Sequence, residues 1–361
     1  MQEQFQPRFI RVYSIVWTAV FLGLLFFQLT DPVLTRNVRF TAVRAGLNVI
    51  SQNFLWRKDL IKDFNNFRFM MGDQVFAQAV IGKEGWMFFT GEKSMEDHQK
   101  ILRLNPKDLQ RSANNLNLFN KQVAGNGGKL IVVVVPDKHT IYPQFMPDQI
   151  PVLGQMSRLD QIMNFMQEQK TDVEIVDLRP ILINASKTDE VYYKTDTHWN
   201  CLGAYYGYRE VLSRIAATYP EVKPHPLTDF NIRSTNLRTW GIPLMLGIQI
   251  KENSLLLKPK FQPARLDITS RPAENNKSIR LVENVRKDLP TALVFHDSFY
   301  DVCFNELFES HFSRTTAIHV SLINGYSQLI YKEKPDVVII ETAERFAADV
   351  LNILKVRNGP Q

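Results

Sequence analysis

The chain has 361 residues, of which 45% are hydrophobic and 22% charged, and it contains neither a low-complexity run nor an internal repeat. This composition excludes disorder for the bulk of the chain and predicts one large domain or two smaller ones. The net charge of +6 comes from 43 basic and 37 acidic residues that are interspersed, without the Arg and Lys stripe that indicates nucleic-acid binding. A mildly basic solvated surface is therefore favoured over attraction to an anionic polymer or a membrane surface.

The first predicted element is an uncharged segment of 18 residues, Val12 to Leu29. As a helix this segment would be about 27 Å long, close to the thickness of the hydrocarbon core of a bilayer. Arg8 and Arg11 precede it and favour an N-terminus on the inner side. Since no small-residue cleavage site follows directly, we predict an uncleaved signal anchor over residues 1–30, with a cleaved signal peptide as the alternative. The remainder is then expected on the periplasmic face of the inner membrane.

The segment after the anchor is predicted to alternate between helices and buried strands. A helical linker is expected over 31–75, and a β-hairpin over 78–91 ("QAVIGKEGWMFFTG") has its tight turn at 82–85. The predicted strands that follow are rich in β-branched residues: 129–136, 173–178, 291–297, 315–321 and 336–341. The predicted helices between them show apolar spacing of three and four residues: 106–125, 158–169, 203–219, 302–312 and 327–334.

This alternation predicts a three-layer α/β/α domain over residues 76–361 with a mainly parallel sheet. The uninterrupted apolar run "KLIVVVVP" is typical of a strand buried on both faces, which supports the parallel arrangement. The polar, proline-containing stretch at about 220–290 interrupts the pattern and is predicted to be an irregular insertion.

The chain contains only two cysteines, Cys201 and Cys303, which excludes a disulfide framework. Each lies close in sequence to one of the two motifs described next. If those motifs meet in space, one bridge between the two cysteines can form in an oxidising compartment. Two free buried thiols are an equally good interpretation of the sequence.

The first motif is "TDTHWN", in which Asp196 and His198 are two residues apart. In an extended segment their side chains project to the same side, so the carboxylate can orient the imidazole toward a nucleophile. A hydrogen-bonded loop histidine and a metal ligand pair are the alternatives. No third His or Cys at ligand spacing supports a metal, and Asn200 is expected to cap the helix that follows.

The second motif is "FHDSF", which sets Ser298 between a buried strand and a helix. There the hydroxyl can project from a tight turn while backbone N–H groups at the helix start face an oxyanion. A serine at such a junction is also a common helix N-cap, so this motif alone is weak. Asp297 is expected to hold the turn rather than the imidazole. The sequence contains no nucleotide-binding glycine motif, and no cofactor is predicted.

The order of these motifs resembles the SGNH-hydrolase-like domain of the alginate O-acetyltransferase family, of the AlgX/AlgJ type. The resemblance covers roughly residues 80–345. The matching stretches are "VIGKEGWMFFTG" (80–91), "IVVVVPDKHTIYP" (131–143), "YYKTDTHWNCLGAYYGY" (192–208), "GIPLMLG" (241–247), "LVFHDSF" (293–299) and "PDVVIIETAER" (335–345). It implies that Ser298 is the nucleophile, His198 the base and Asp196 the orienting acid.

The resemblance also implies secondary site residues. Lys138 is expected to contact substrate, and the backbone N–H groups of Ser298 and Phe299 are expected to bind the oxyanion, with the Asn324 side chain as a weaker candidate. Glu341 and Arg345 match the terminal Glu/Arg segment, for which a buried ion pair is as good an interpretation as contact with substrate. Two positions depart from the family pattern: His296 stands where glycine is usual, and Ile242-Pro243 where an aspartate is common.

The function that the resemblance implies is O-acetylation of a secreted polysaccharide through an acetyl-serine intermediate. A membrane-bound O-acyltransferase is the expected acetyl donor, and other polymer-export proteins are expected partners. A carbohydrate acetylesterase that uses the same three residues, and a non-catalytic glycan-binding assembly protein, are the alternatives.

Overall fold

The computed structural model describes residues 57–235 and 239–354. The predicted anchor over Val12 to Leu29 and most of the predicted linker lie outside these residues and stay predictions. Within the described part of the chain, no helix is both long and apolar enough to cross a membrane. The chain divides into two units between residues 64 and 65, and apart from the beginning of the first helix the fold and site below belong to the second unit, residues 65–361.

The described residues form eleven strands and twelve α-helices. The strands are β1 (Ala79–Ile81), β2 (Met87–Phe89), β3 (Lys129–Val135), β4 (Glu174–Asp177), β5 (Phe230–Ser234), β6 (Leu255–Pro259), β7 (Leu266–Pro272), β8 (Ser278–Asn284), β9 (Thr291–His296), β10 (Arg314–His319) and β11 (Val337–Ala343). The helices are α1 (Arg57–Met70), α2 (Ser94–His98), α3 (Pro106–Gly125), α4 (Lys138–Ile141), α5 (Arg158–Glu168), α6 (Arg179–Ala185), α7 (Cys201–Ala216), α8 (Gly241–Leu246), α9 (Asn305–Phe308), α10 (Ile323–Tyr326), α11 (Leu329–Glu333) and α12 (Ala347–Ile353).

Seven strands form the central sheet, in the order β4-β3-β11-β9-β10-β8-β7. The first five strands in this order are parallel to one another, whereas β8 pairs antiparallel with both β10 and β7. The prediction of a mainly parallel sheet is therefore confirmed. The β1–β2 hairpin is also confirmed, with Ala79 opposite Phe89 and the turn at the predicted residues.

Helices cover both faces of the sheet, which makes the domain the predicted three-layer α/β/α sandwich. In β3, Ile131 and Val133 belong to the core under α6 and α7, whereas Val132 and Val134 belong to the core under α3, α5 and α12. All four side chains are fully buried. Such burial stabilises the fold by about 1.5–3 kcal/mol for each aliphatic side chain, which explains why this strand reads as a continuous apolar run.

The prediction of an irregular insertion over 220–290 is wrong. This segment contains the antiparallel pair β5–β6, the short helix α8, and the strands β7 and β8 that extend the central sheet. The side chains of β7 are exposed along almost its whole length, so the strand lacks the apolar alternation from which strands are predicted. Edge strands with one exposed face are the elements that hydrophobic patterns miss.

The predicted single helix over 302–312 is broken in the structure. Helical turns begin at Ser298 and continue to His311, but the backbone leaves the helical conformation at Val302 and Cys303, where φ of Cys303 is +63°. A non-glycine residue in this conformation needs support from its surroundings. Here Cys303 is joined to Cys201, as described below.

Candidate active site

Three neighbouring strands place their carboxyl ends together at one edge of the sheet. β3, β11 and β9 are adjacent and parallel, so the polar residues that follow them lie side by side. These residues are Asp137 and Lys138 after β3, Glu344 and Arg345 after β11, and Ser298 after β9. The candidate site is built on this edge.

Asp196, His198 and Ser298 form a continuous hydrogen-bonded chain at this edge. The Ser298 Oγ lies 2.8 Å from His198 Nε2 although the two residues are 100 positions apart. On the other side of the ring, His198 Nδ1 lies 2.8 Å from Asp196 Oδ1. A proton on Nδ1 donates to the carboxylate and leaves Nε2 as an acceptor for the serine hydroxyl. This is the geometry of an activated hydroxyl nucleophile.

The three hydrogen-bonded side chains differ in burial and in charge. Ser298 is exposed, whereas Asp196 is only 5% exposed. Burial by itself raises the pKa of Asp196, but the hydrogen bond and charge of His198 and the charge of Lys138 more than offset it, so the pKa is lowered from its usual value. The acid is therefore ionised at neutral pH and stabilises a positive imidazolium ring.

The loop that carries Asp196 and His198 is closed and attached to the segment that carries the serine. Tyr192 and Trp199 form an antiparallel bridge across the loop, and Asn200 caps α7 as predicted by accepting from the N–H groups of Leu202 and Gly203. The Trp199 indole N–H donates to the carbonyls of Phe299 (3.0 Å) and Val302 (3.1 Å). Trp199 thus sets the distance between the imidazole and the hydroxyl, a role that the sequence did not indicate.

The chain matches the sequence model of one protein family. The SGNH hydrolase-like domain of the acetyltransferase AlgX matches residues 79–280, more than half of the chain. The chain belongs to this family. The matched range includes Asp196 and His198, whereas Ser298 lies beyond its end.

Curated relatives resemble part of the chain. A probable alginate O-acetylase AlgJ of Pseudomonas aeruginosa is 27% identical over 133 residues, 35% of this chain and 30% of that protein. The corresponding protein of Pseudomonas syringae pv. tomato is 26% identical over 145 residues, 39% of this chain and 34% of that protein. The chain thus spans about a third of the length of these relatives.

Solved structures resemble a larger share of the chain. Bacillus cereus PatB1 with a sulfonyl adduct superposes with a TM-score of 0.60 at 14% identity, covering 78% of this chain and all of that one. A DHHW family protein from Eubacterium siraeum gives a TM-score of 0.56 at 16% identity, covering 78% of this chain and 96% of that one. At these identities the likeness shows a shared SGNH-like α/β fold.

In this AlgX-type domain, Lys138 is bonded to the loop that carries Asp196 and His198. Its ammonium donates to the backbone carbonyls of Tyr193 (3.0 Å), Lys194 (2.9 Å) and Asp196 (2.5 Å), and the residue is only 4% exposed. Burial lowers the pKa of Lys138 to about 7, while the nearby charges of Asp196 and Glu252 oppose that shift. The expected contact between Lys138 and substrate is therefore wrong, because this ammonium is directed at its own backbone.

Two further residues support the same loop. The Glu252 carboxylate accepts hydrogen bonds from the backbone N–H groups of Lys194 (2.7 Å) and Thr195 (2.9 Å). Gly241, at the start of α8, has φ +58° and lies so close that an added Cβ would be 2.7 Å from Asp196 Cγ. The next residue, Ile242, is buried and donates its N–H to the Thr195 carbonyl at 3.0 Å. The departure from the family pattern at Ile242-Pro243 thus packs against the loop.

We expect the substitution Gly241→Ala to destabilise the domain more than the control substitution Gly127→Ala. Gly127 also has a positive φ, +86°, but nothing lies within 4 Å of its added Cβ. The control therefore carries only the left-handed backbone cost of about 1–2 kcal/mol. Gly241→Ala adds an overpacking cost of about 1–3 kcal/mol against Asp196. Urea titrations measure both free energies of unfolding, and equal losses would contradict the close approach.

Asp297 holds the turn after β9, as predicted. In doing so it accepts a hydrogen bond from the Phe299 N–H, one of the predicted oxyanion donors. Its Oδ1 accepts the Phe299 N–H at 2.9 Å and its Oδ2 accepts the Ala343 N–H at 2.6 Å. The assignment of the Phe299 N–H to an oxyanion hole is therefore wrong for this conformation, because the donor is already bonded. The Ser298 N–H, at the beginning of the helical turns, remains the backbone candidate.

The side-chain candidate for the oxyanion is also engaged elsewhere. Asn324 Nδ2 donates to the Ile353 carbonyl at 2.8 Å, beside the last helix. That hydrogen bond would have to break before the amide could face an oxyanion. His296, which stands where the family usually has glycine, donates from Nδ1 to the Asp297 carbonyl at 2.8 Å and packs its ring 4.6 Å from that of Tyr300.

The predicted pair of Glu341 with Arg345 does not form. Arg345 pairs instead with Asp137, across the adjacent strands β11 and β3, and its guanidinium carbon lies 5.8 Å from the centre of the Phe299 ring. Glu341 Oε2 accepts the backbone N–H of Asp297 at 2.9 Å. Burial and the charge of Asp297 raise the pKa of Glu341 well above its usual value. Arg345 also borders a small pocket that Thr197 lines.

Cys201 and Cys303 are joined by a disulfide, which decides between the two interpretations of the sequence. Cys201 is three residues after His198, and Cys303 is five residues after Ser298. The bridge therefore links the segment that carries His198 to the segment that carries Ser298, as the hydrogen bonds of Trp199 also do.

Removing this bridge with the double substitution Cys201→Ser/Cys303→Ser is expected to lower the free energy of unfolding by about 2–4 kcal/mol, because the bridge closes a long loop in the unfolded chain. Urea titration with and without dithiothreitol measures the effect. The reductant should bring the wild type to the stability of the double variant and leave the variant unchanged. A wild type indifferent to the reductant would show that the two thiols are free.

Proposed function

We propose that the protein is an O-acetyltransferase that modifies a secreted polysaccharide through an acetyl-serine intermediate on Ser298. The observation that carries the proposal is the pair of 2.8 Å contacts that join Ser298 Oγ to His198 and His198 to Asp196. Membership of the AlgX-type family supports acetyl transfer as the reaction. The names of the curated relatives, probable alginate O-acetylases, support a polysaccharide as the acceptor class.

The first half-reaction forms the acetyl-enzyme. His198 Nε2 takes the proton from the Ser298 hydroxyl as Oγ attacks the carbonyl carbon of an acetyl ester. The tetrahedral oxyanion accepts a hydrogen bond from the Ser298 N–H. The intermediate then collapses, the bond from the carbonyl carbon to the leaving oxygen breaks, and that oxygen receives the proton from His198. Asp196 keeps the ring in the correct tautomer and stabilises its transient positive charge.

The second half-reaction moves the acetyl group to the acceptor. A sugar hydroxyl gives its proton to His198 Nε2 and attacks the acetyl carbon bound to Ser298. The ester bond to Oγ breaks, and Oγ takes the proton back from His198, which restores the starting state. Because Ser298 is exposed at the carboxyl end of β9, a polymer chain has access to it without entering an enclosed cavity.

The location and the donor form part of the same proposal. The predicted anchor would hold the domain at the periplasmic face of the inner membrane. Acetyl groups would reach Ser298 from a membrane-bound O-acyltransferase, since the proposed location separates the domain from cytoplasmic acetyl donors. Polymer-export proteins are the proposed neighbours of the complex.

The test uses the purified full chain with p-nitrophenyl acetate and an oligosaccharide acceptor. Mass spectrometry should detect an acetyl group on the peptide that contains Ser298 and acetylated oligosaccharide among the products, and Ser298→Ala should produce neither. Release of acetate without acetylated sugar would instead assign a carbohydrate esterase. The absence of both turnover and acetyl-serine would assign a non-catalytic glycan-binding protein.

A further inference from the structure

The central sheet ends in a long edge strand, β7. β7 has seven residues, pairs only with β8 among the described residues, and occupies the end of the strand order. Every side chain from Asp267 to Pro272 is exposed, including half of the surface of Ile268. A strand edge of this length presents unpaired N–H and C=O groups that can pair with another strand.

The charges on β7 are self-complementary. Asp267 and Arg271 lie two residues before and two residues after Thr269, and the three side chains share one face of the sheet because strand side chains alternate. Neither charged side chain takes part in an ion pair with another described residue, whereas the neighbouring Glu283 on β8 pairs with Lys287. The two charges are therefore available to a strand that pairs with the outer side of β7.

We propose that two copies of the chain associate through β7, antiparallel, about a two-fold axis at Thr269. In this register Asp267 of each copy lies directly opposite Arg271 of the other, so that the interface contains two opposite-charge pairs. A two-fold contact of this kind uses the same surface on both copies, so the association ends at a dimer. Shifting the register by one residue removes both charge pairs, which selects this alignment over its neighbours.

The dimer leaves the candidate active site open. Ser298 follows β9, and β10 and β8 separate β9 from β7, a distance of about 14 Å across the sheet. Pairing therefore continues the sheet from one copy into the other without covering either serine. Each dimer would present two separate acetylation sites, so its formation can be tested independently of turnover.

Cysteine cross-linking tests the axis directly, on the full chain in detergent. The only native cysteines are bonded to each other, so an added cysteine has no internal partner. With Thr269→Cys, two thiols face each other across the axis at a separation that a disulfide can bridge. The matched control is Ser270→Cys, because Ser270 is also exposed but lies on the other face and opposite Ile268 of the second copy.

After mild oxidation, Thr269→Cys should cross-link at least about ten times faster than Ser270→Cys on non-reducing gels. Equal rates, or cross-linking of neither variant, would overturn the proposed axis.

A charge exchange tests the register, with sedimentation velocity at low salt as the measurement. Asp267→Arg places like charges opposite each other and should raise the dimer dissociation constant at least about tenfold. The double exchange Asp267→Arg/Arg271→Asp should restore it to within about threefold of the wild type. A wild type that stays monomeric at every concentration, or a dimer that ignores the exchange, would overturn the proposal. Turnover of p-nitrophenyl acetate should stay unchanged, which separates this test from that of the proposed function.

Discussion

Ser298→Ala is expected to reduce kcat/KM for p-nitrophenyl acetate by about 10³-fold or more, and His198→Ala by a similar factor. The alanine at 298 removes the oxygen that lies 2.8 Å from His198 Nε2, and the alanine at 198 removes the group that is proposed to accept its proton. If the two side chains act in one proton transfer, as proposed, the double variant should be little slower than either single variant. Stopped-assay kinetics and the mass of the peptide that contains residue 298 provide the measurement.

A control substitution at another exposed serine distinguishes the loss of turnover in Ser298→Ala from a general effect of replacing serine by alanine. Ser278 is exposed at the start of β8, two strands away from β9, and Ser278→Ala should retain full turnover and full stability. Urea titration should also show that Ser298→Ala folds normally, since the exposed hydroxyl contributes little to packing. A double variant far slower than both singles would contradict the proton relay, because it would mean that His198 and Ser298 act independently.

The parts of the site that the sequence predicted are those that follow from short-range geometry. The prediction that Asp196 and His198 lie in an extended segment is wrong, because the segment bends and the N–H groups of Thr197 and His198 both donate to Asp196 Oδ1, which still leaves the carboxylate beside the imidazole. The position of Ser298 follows from a buried strand that ends two residues earlier. The structure brings the three together, which the family resemblance implied and the spacing alone left open. Their catalytic roles stay predictions until turnover is measured.

The parts that the sequence did not predict depend on contacts between distant segments. Lys138 was expected to face substrate, and its true partners are carbonyls more than fifty residues away, at positions where any side chain would present the same backbone oxygen. The pairing of Arg345 with Asp137 rather than Glu341 depends on β11 lying next to β3, which only the sheet order reveals. Likewise, an exposed edge strand such as β7 carries no apolar signal.

Contacts from three distant parts of the chain immobilise the loop over residues 191–200. Trp199 attaches it to the serine segment, Glu252 holds two of its N–H groups, and Lys138 holds three of its carbonyls. A general base must lie within about 3 Å of the proton it removes, and displacement by 1 Å can cost about 10²-fold in rate. We therefore infer that these hydrogen bonds keep the imidazole ring of His198 in position.

Lys138→Met is accordingly expected to lower kcat for p-nitrophenyl acetate by about 10²-fold with a smaller change in KM. Methionine keeps the length and the apolar contacts of the lysine stem but leaves the carbonyls of Tyr193, Lys194 and Asp196 without their donor. The loop then relaxes, and His198 moves away from Ser298. The control Lys107→Met, on the exposed surface of α3, should behave like the wild type. If Lys138 contacted a sugar instead, acetylation of the oligosaccharide would fall while hydrolysis of the small ester was retained.

The pH dependence of stability provides an independent check on the same side chain. Burial lowers the pKa of Lys138 from 10.5 to about 7 in the folded protein, so between these two values the unfolded chain binds a proton that the folded chain does not. The free energy of unfolding of the wild type therefore rises with pH across that window, by up to about 1.4 kcal/mol per pH unit, and is unaffected by this group below pH 7. Methionine does not titrate, so the stability difference between wild type and Lys138→Met should grow from pH 7 to pH 9 in urea titrations. An equal difference at both pH values would mean that the lysine keeps an ordinary pKa, because the three carbonyls and the charges of Asp196 and Glu252 offset the cost of burying its ammonium.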